Sequence, residues 1–212
     1  MNGTMLIALP KGRLYEKALR LLASAGVVVA EGGSSSRALL LEDTGGRFQF
    51  VQLKPVDIPV YVESGAIDAG IVGTDILREL ESDVYEPLDL QIGKCRMVVA
   101  GPDGTSLPYQ QNLRVATKYP KTAGRFFLSR NAHIHIVRLE GSVEIAPQLG
   151  LAEVIVDLVE TGRTLRENSM SILDEVAQVS AKLIVNRTAM KMKAAAVTTL
   201  LKDLDRIIYA HT

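Results

Sequence analysis

Tryptophan is absent from this 212-residue chain, cysteine occurs once and histidine three times. A lone Cys95 cannot close an internal disulfide, so a packed core has to hold the fold, and a reducing compartment suits it. Cys95 lies in an apolar stretch and reads as packing. No Cys/His cluster has the spacing of a zinc site. His133 and His135 would share one strand face without a third ligand, and they read as surface residues. Walker A and nucleophile-elbow sequences are missing as well. An excess of one charge is also lacking. Lys+Arg and Asp+Glu both number 24, so nothing points to nucleic acid or an anionic membrane as a partner. The apolar run Met5 to Leu9 stops at Pro10-Lys11, which is too short for a signal peptide or a membrane span. We expect a soluble, cytoplasmic chain.

What is present is balanced: 47% of residues are apolar and 23% charged. The length suffices for one large domain or two small lobes with a substantial core. The organising stretch is Glu153 to Ser169. Val154 to Val159 is apolar and β-branched around a single acid, Asp157, and reads as a strand buried on both faces. Glu160-Thr161-Gly162-Arg163-Thr164 then breaks the strand, and Leu165–Asn168 looks helical. A strand that turns into a helix at Thr-Gly-x-Thr presents several backbone N–H groups at one point. Two hydroxyls, Thr161 and Thr164, can join them, and the helix dipole favours an anion there. A phosphate is the natural occupant, with Asp157 and Glu160 close enough for sugar hydroxyls or a hydrated Mg²⁺. The plainer alternative is a capped helix, since Thr164 and Glu167 have capping-box spacing.

Two similar edges occur earlier. Met5–Leu9 reads as a buried strand, followed at Pro10-Lys11-Gly12-Arg13 by a helix with Leu14, Ala18, Leu21, Leu22 and Ala25 on its buried face. Gly26 closes that helix. Strand Ala69–Val72 likewise leads into Gly73-Thr74-Asp75 and another helix start. Ligands of open α/β sheets bind at this carboxyl edge of the strands. Between these edges, Ala38–Leu41 and Phe48–Leu53 pair around Asp43-Thr44-Gly45-Gly46. A helix capped by Asp57, with Pro59 in its first turn, runs on to Ser64.

Two long apolar stretches, Ile92–Ala100 and Ile172–Val185, read as strands. They bracket a unit made of strand Leu113–Ala116, helix Tyr119–Asn131, strand Ile134–Leu139, helix Val143–Leu149 and the opening strand and loop. A unit inserted between two long strands implies two chain crossings and two lobes. We therefore expect residues 1–92 with 180–212 as one lobe and 93–179 as the other. Beyond Arg187, Met190, Ala194, Val197, Leu201, Leu204 and Ile208 form a heptad-like stripe on one long helix.

These blocks together resemble the ATP phosphoribosyltransferase family. The resemblance runs through Leu9-Pro10-Lys11-Gly12-Arg13-Leu14, Asp57-Ile58-Pro59, Gly65 to Asp75, Cys95-Arg96, Arg114 to Pro120, Gly141 to Pro147, and Gly150 to Leu165 with Asn168. It implies an α/β, two-lobed, periplasmic-binding-protein-like (type II) fold with a ligand cleft between the lobes. It also implies transfer of the phosphoribosyl group of phosphoribosyl pyrophosphate (PRPP) to N1 of the adenine of ATP. That reaction releases pyrophosphate and opens histidine biosynthesis.

The resemblance assigns Asp157, Glu160, Thr161, Gly162, Arg163 and Thr164 to PRPP. It assigns Lys11, Gly12, Arg13, Gly73, Thr74, Asp75 and Arg96 to ATP. Lys11, Arg13, Arg37 and Lys54 become the catalytic cations, and Gly141 and Ser142 offer a further anion contact. Lys54 stands where the family pattern has arginine, so the charge is kept but the bidentate fork is lost. Mg²⁺ is the implied cofactor, carried mainly by substrate phosphates. The chain looks like the family's short form, whose implied partner is a histidyl-tRNA-synthetase-like regulatory subunit. The implied assembly is a homodimer within a hetero-octamer.

Two rivals remain. A non-catalytic two-lobed small-molecule binding module would share the fold without needing Thr-Gly-Arg-Thr. A Rossmann-like phosphoribosyltransferase would carry two adjacent acids before its loop, where this chain has Asp157-Leu158.

Overall fold

A computed structural model describes residues 4–29, 40–106 and 112–210. The Gly32–Arg37 loop, and Arg37 with it, lies outside the described residues. The chain divides into two units, Met1–Gly93 with Ser180–Thr212, and Lys94–Val179.

The first unit is built on a six-stranded sheet. Its parallel centre is β1 (Met5–Pro10), β3 (Phe48–Leu53) and β4 (Ala69–Gly73), with β2 (Leu40–Glu42) antiparallel outside β3. β11 (Ala181–Val185) lies antiparallel between β4 and β5 (Tyr85–Asp89), and the strand order is β2-β3-β1-β4-β11-β5. β1 and β4 are almost wholly buried, as expected of apolar, β-branched strands that helices cover. α1 (Arg13–Ser24) buries Ala18 and Leu22, with Leu14 and Leu21 partly buried against the same core. Fully buried Ile7, Leu9, Phe50 and Leu22 anchor that core, each contributing about 1.5–3 kcal/mol by leaving water.

The second unit carries a five-stranded sheet in the order β10-β6-β9-β7-β8. Its strands are β6 (Cys95–Pro102), β7 (Leu113–Thr117), β8 (Ile134–Arg138), β9 (Val154–Val159) and β10 (Met170–Val179). β9 is parallel to β7 and antiparallel to β6. α4 (Pro120–Leu128) follows β7 with proline at its first position, where the missing N–H costs nothing.

Several elements depart from the sequence expectations. The strand expected from Ile92 starts at Cys95, because Gly93 turns the chain with φ 63°. Ile172–Val185 is not one strand but two, broken at Ser180, where the chain leaves one unit for the other. Val143–Leu149 is only a 3-10 turn over Val143–Ile145; Pro147, with no N–H to donate, stops it early. Asp57 occupies the N-cap position of α2 (Ile58–Glu63), yet its side chain makes no capping bond. β5, with three of its five residues exposed, had too little apolar pattern to be foreseen.

The single C-terminal helix is in fact α6 (Arg187–Met192) and α7 (Ala194–Ile208), separated at Lys193. Lys193 Nζ lies 2.7 Å from Asp68 Oδ2 and also reaches the Thr4 carbonyl. The same Asp68 oxygen accepts the Leu6 N–H at 2.8 Å, so the break is tied to β1. α7 buries Val197, Leu200 and Leu204, and Leu201 and Ile208 are partly buried against the same core; of the expected stripe in this helix only Ala194 is exposed, and Leu200 was not foreseen. The cap of α6 is Asn186, whose oxygen accepts the N–H groups of Thr188 and Ala189, a strong N-cap.

Candidate active site

In the first unit the site residues gather at the carboxyl edge of β1, β3 and β4. Pro10 pairs with Leu53, and the Lys11 N–H donates to the Leu53 carbonyl at 2.8 Å. Lys11 and Lys54 are therefore next neighbours across two parallel strand ends, and both are exposed. Gly12 follows with φ 89° and ψ −154°, a backbone region open essentially to glycine. This residue swings the chain into α1, whose first residue is the exposed Arg13.

On the other side of β1, Gly73 ends β4 and α3 (Thr74–Leu80) begins. A Cβ at Gly73 would stand 2.1 Å from Asp75 Oδ1, so glycine is what lets the Asp75 carboxylate fold back over the strand end. Thr74 and Asp75 are both 7% exposed. The Thr74 hydroxyl is already engaged, accepting the Ser180 N–H at 3.3 Å. Lys11, Arg13 and Lys54 thus form an exposed cationic rim, able to neutralise a polyphosphate by charge, beside a buried Thr-Asp pair.

In the second unit the site residues surround the end of β9. Val156 is fully buried; Asp157 is half-buried and Glu160 and Thr161 are exposed. Gly162 takes the left-handed conformation, φ 72° and ψ 10°, and α5 (Arg163–Glu167) starts directly after it. The helix begins earlier than the sequence suggested, which places Thr164 inside it. No side-chain cap bond is made, so the capping-box alternative fails. Glu167 instead accepts from Arg163 Nε at 2.7 Å, so the Arg163 guanidinium is turned along the helix.

The first intrahelical bond runs from Arg166 N–H to the Gly162 carbonyl. The N–H groups of the first turn precede it and face the loop. Arg166 Nη1 also donates to the Thr161 carbonyl at 3.1 Å, and Arg163 N–H reaches the Thr161 hydroxyl at 3.4 Å. Arg96 pairs across the sheet with Val159, at the loop's root, and its guanidinium lies 3.4 Å from Glu175. Ser142, left-handed at φ 51°, opens the 3-10 turn whose Val143 packs in the same core cluster as Val159 and Leu165.

At the carboxyl end of β7, Thr117 is buried and the residue that follows it, Lys118, is an exposed cation. The resolved charge perturbation lies elsewhere. Arg114 lies near the opposite end of the same strand, and its guanidinium hydrogen-bonds to Glu153, holding that carboxyl below the usual carboxylate range. Among the described residues, no group of three or more His, Cys, Asp or Glu side chains is set to hold a metal ion. One or two carboxylates with substrate phosphates are what Mg²⁺ ordinarily uses, and Asp157 and Glu160 fit that lesser demand.

A solved substrate binding protein of an amino acid ABC transporter aligns over 98% of this chain and 94% of its own, with TM-score 0.55 at 13% identity. At that identity the likeness is one of fold, and it places the chain in the type II periplasmic-binding-protein class. Similarity in sequence goes further. The family described as HisG, ATP phosphoribosyltransferase, matches residues 54–206. An ATP phosphoribosyltransferase of Caldanaerobacter subterraneus subsp. tengcongensis is 48% identical over 202 residues, covering 95% of this chain and 96% of that protein. The structure of the ATP phosphoribosyl transferase (HisG:HisZ) complex from Thermotoga maritima covers 98% of this chain and all of the matched one, with TM-score 0.84 and 37% identity. The chain belongs to the ATP phosphoribosyltransferase family.

Proposed function

We propose that this chain transfers the phosphoribosyl group of PRPP to N1 of the adenine of ATP, giving phosphoribosyl-ATP and pyrophosphate as the first step of histidine biosynthesis. The observation that carries the assignment of roles is the Thr161-Gly162-Arg163-Thr164 turn, a left-handed glycine between a buried strand and a helix start. The turn offers backbone N–H groups and two exposed hydroxyls to the 5′-phosphate of PRPP. Asp157 and Glu160 stand at its root for the ribose hydroxyls.

Adenine N1 carries a lone pair at neutral pH, so its attack on ribose C1 needs no activated protein nucleophile. A bond forms between N1 and C1 as the bond from C1 to the pyrophosphate oxygen breaks. The protein's share is to position the reactants and neutralise charge. Lys11, Arg13, Lys54 and Arg96 serve the triphosphate and the departing pyrophosphate, and Gly73-Thr74-Asp75 borders the nucleotide. Arg37 completes this cationic set in the same reading. Mg²⁺, when bound, would supply further charge neutralisation to the phosphates, and Asp157 or Glu160 would be the carboxylates that hold it. The Thermotoga maritima complex pairs HisG with HisZ. By analogy we assign this chain a regulatory partner of that kind, with a homodimer of this chain inside a hetero-octamer, working in the cytoplasm.

A coupled assay with ATP, PRPP and Mg²⁺, followed by phosphoribosyl-ATP absorbance with and without the partner, tests this directly. Product formation that rises with the partner supports both the reaction and the pairing. A folded chain with verified partner that makes no product leaves the non-catalytic binding module as the better reading.

A further inference from the structure

Lys118 is the first residue beyond β7. The parallel register ends at the pair Thr117 and Val156, so Lys118 and Asp157 are the residues that follow that last pair. Ala116 belongs to the core cluster with Ile155 and Val159. Alternation along β9 puts Asp157 on that same face, and Lys118 is the bend residue directly beyond the end of β7. Leu165 of α5 and Val143 beside Ser142 pack in the same cluster. Arg96, opposite Val159, shares the face as well. Because β7 and β9 are parallel, Lys118 leaves its strand at the same carboxyl edge from which the proposed phosphate loop begins.

The turn that carries Lys118 is held from within. Thr117 is fully buried; its hydroxyl donates to the Val156 carbonyl at 2.7 Å and accepts the Tyr119 N–H at 2.9 Å. One side chain therefore fixes both the peptide that precedes Asp157 and the peptide that follows Lys118. A buried hydroxyl satisfied on both counts is costly to disturb. The Lys118 ammonium is exposed and stands 5.9 Å from the centre of the Tyr119 ring. Among the described residues no carboxylate pairs with it.

We propose that Lys118 is a further phosphate-binding residue of the β9 loop site, and that Thr117 is the positioning residue that holds it there. This rests on the reading of that loop as the PRPP site. Either end of PRPP carries the chemistry that an ammonium recognises, the 5′-phosphate or the pyrophosphate.

Calorimetric titrations with ribose 5-phosphate and, separately, with pyrophosphate test it on the full chain and its variants. Lys118→Ala is expected to weaken one probe by about tenfold or more, the scale of a lost charge-assisted contact, and Lys118→Arg to bind it within a few-fold of the parent. Loss of ribose 5-phosphate assigns the lysine to the 5′-phosphate; loss of pyrophosphate assigns it to the leaving group. Thr117→Ser, which keeps the hydroxyl, should bind as the parent does. Thr117→Val should weaken the same probe as Lys118→Ala while ATP affinity stays level, a split that general loss of structure would not produce. If Lys118→Ala binds both probes as tightly as the parent, the proposal is overturned. Thr161→Ala separates the two failures: a weakened probe there with none in Lys118→Ala sinks only the lysine. A parent chain that binds neither probe sinks the loop reading and the proposal together.

Discussion

Thr74 and Ser180 hold each other twice: the Thr74 N–H donates to the Ser180 carbonyl at 2.9 Å, and the Ser180 N–H donates to the Thr74 hydroxyl at 3.3 Å. Ser180 is the residue at which the chain re-enters the first unit, and its own hydroxyl donates to Asp89 at 2.7 Å. The pair clamps the start of β11 against the end of β4. Thr74→Val keeps the shape and leaves the Ser180 N–H without its acceptor in a largely buried place. We expect a loss of about 1–3 kcal/mol of stability, with Thr74→Ser close to the parent. Urea unfolding of the three proteins checks this, and equal midpoints would remove the clamp from the account.

Thr161 is argued to touch substrate phosphate. Losing one preorganised contact of that kind costs about 2.7–4 kcal/mol of transition-state stabilisation. Thr161→Ala should therefore lower turnover by roughly 100-fold or more with an unchanged melting curve. Parental steady-state kinetics in that variant would reject the assignment.

The strand-to-helix turns that carry the candidate site residues were more legible than the elements around them, and the reason is local. Lys11-Gly12-Arg13, Gly73-Thr74-Asp75 and Glu160 to Thr164 each couple a buried strand to a helix start within a few residues, so the chemistry and the turn are written together. Where long-range partners decide, the pattern misled. Nothing near Lys193 marks a helix break in sequence, because the cause is Asp68, brought to it by folding. Thr164 and Glu167 had capping spacing, but the left-handed Gly162 starts the helix two residues too early for it. Thr117 fell just past the strand expected over Leu113–Ala116, and its bond to the Val156 carbonyl exists only because folding brings β9 beside it.

The Lys193–Asp68 contact is partly buried, and Asp68 also serves the Leu6 N–H. Lys193→Met should cost about 1.5–3 kcal/mol, as expected for a hydrogen bond to a charged group. With Asp68→Asn in a double-mutant cycle, the coupling between the two sites should be clearly non-zero. Additive losses in chemical denaturation would mean that the helix break is held by something else.

Glu153 accepts from the Arg114 backbone N–H at 2.7 Å and from its guanidinium Nε at 2.9 Å, which lowers its folded-state pKa. A depressed carboxyl adds stability above its unfolded value of about 4.3 and loses it as pH falls through the lower folded value. Glu153→Gln should thus melt below the parent at neutral pH, and the two curves should converge in acid. Melting temperatures measured down the pH scale decide; a gap that stays constant to low pH contradicts the linkage.

β11 comes from the last stretch of the chain, yet it sits inside the first unit's sheet, between β4 and β5. On the ribosome this inverts the usual N-terminal-first order of assembly. Lys94–Val179 is contiguous and can complete its sheet while β4 still waits with an open edge and β5 has no strand to pair with. Nascent chains stalled after Val179 has cleared the exit tunnel should therefore yield a protease-resistant fragment from the middle of the sequence before any from its beginning. The earlier-made half is the one that needs protection during synthesis, because its unpaired strand edge is open to association with other chains.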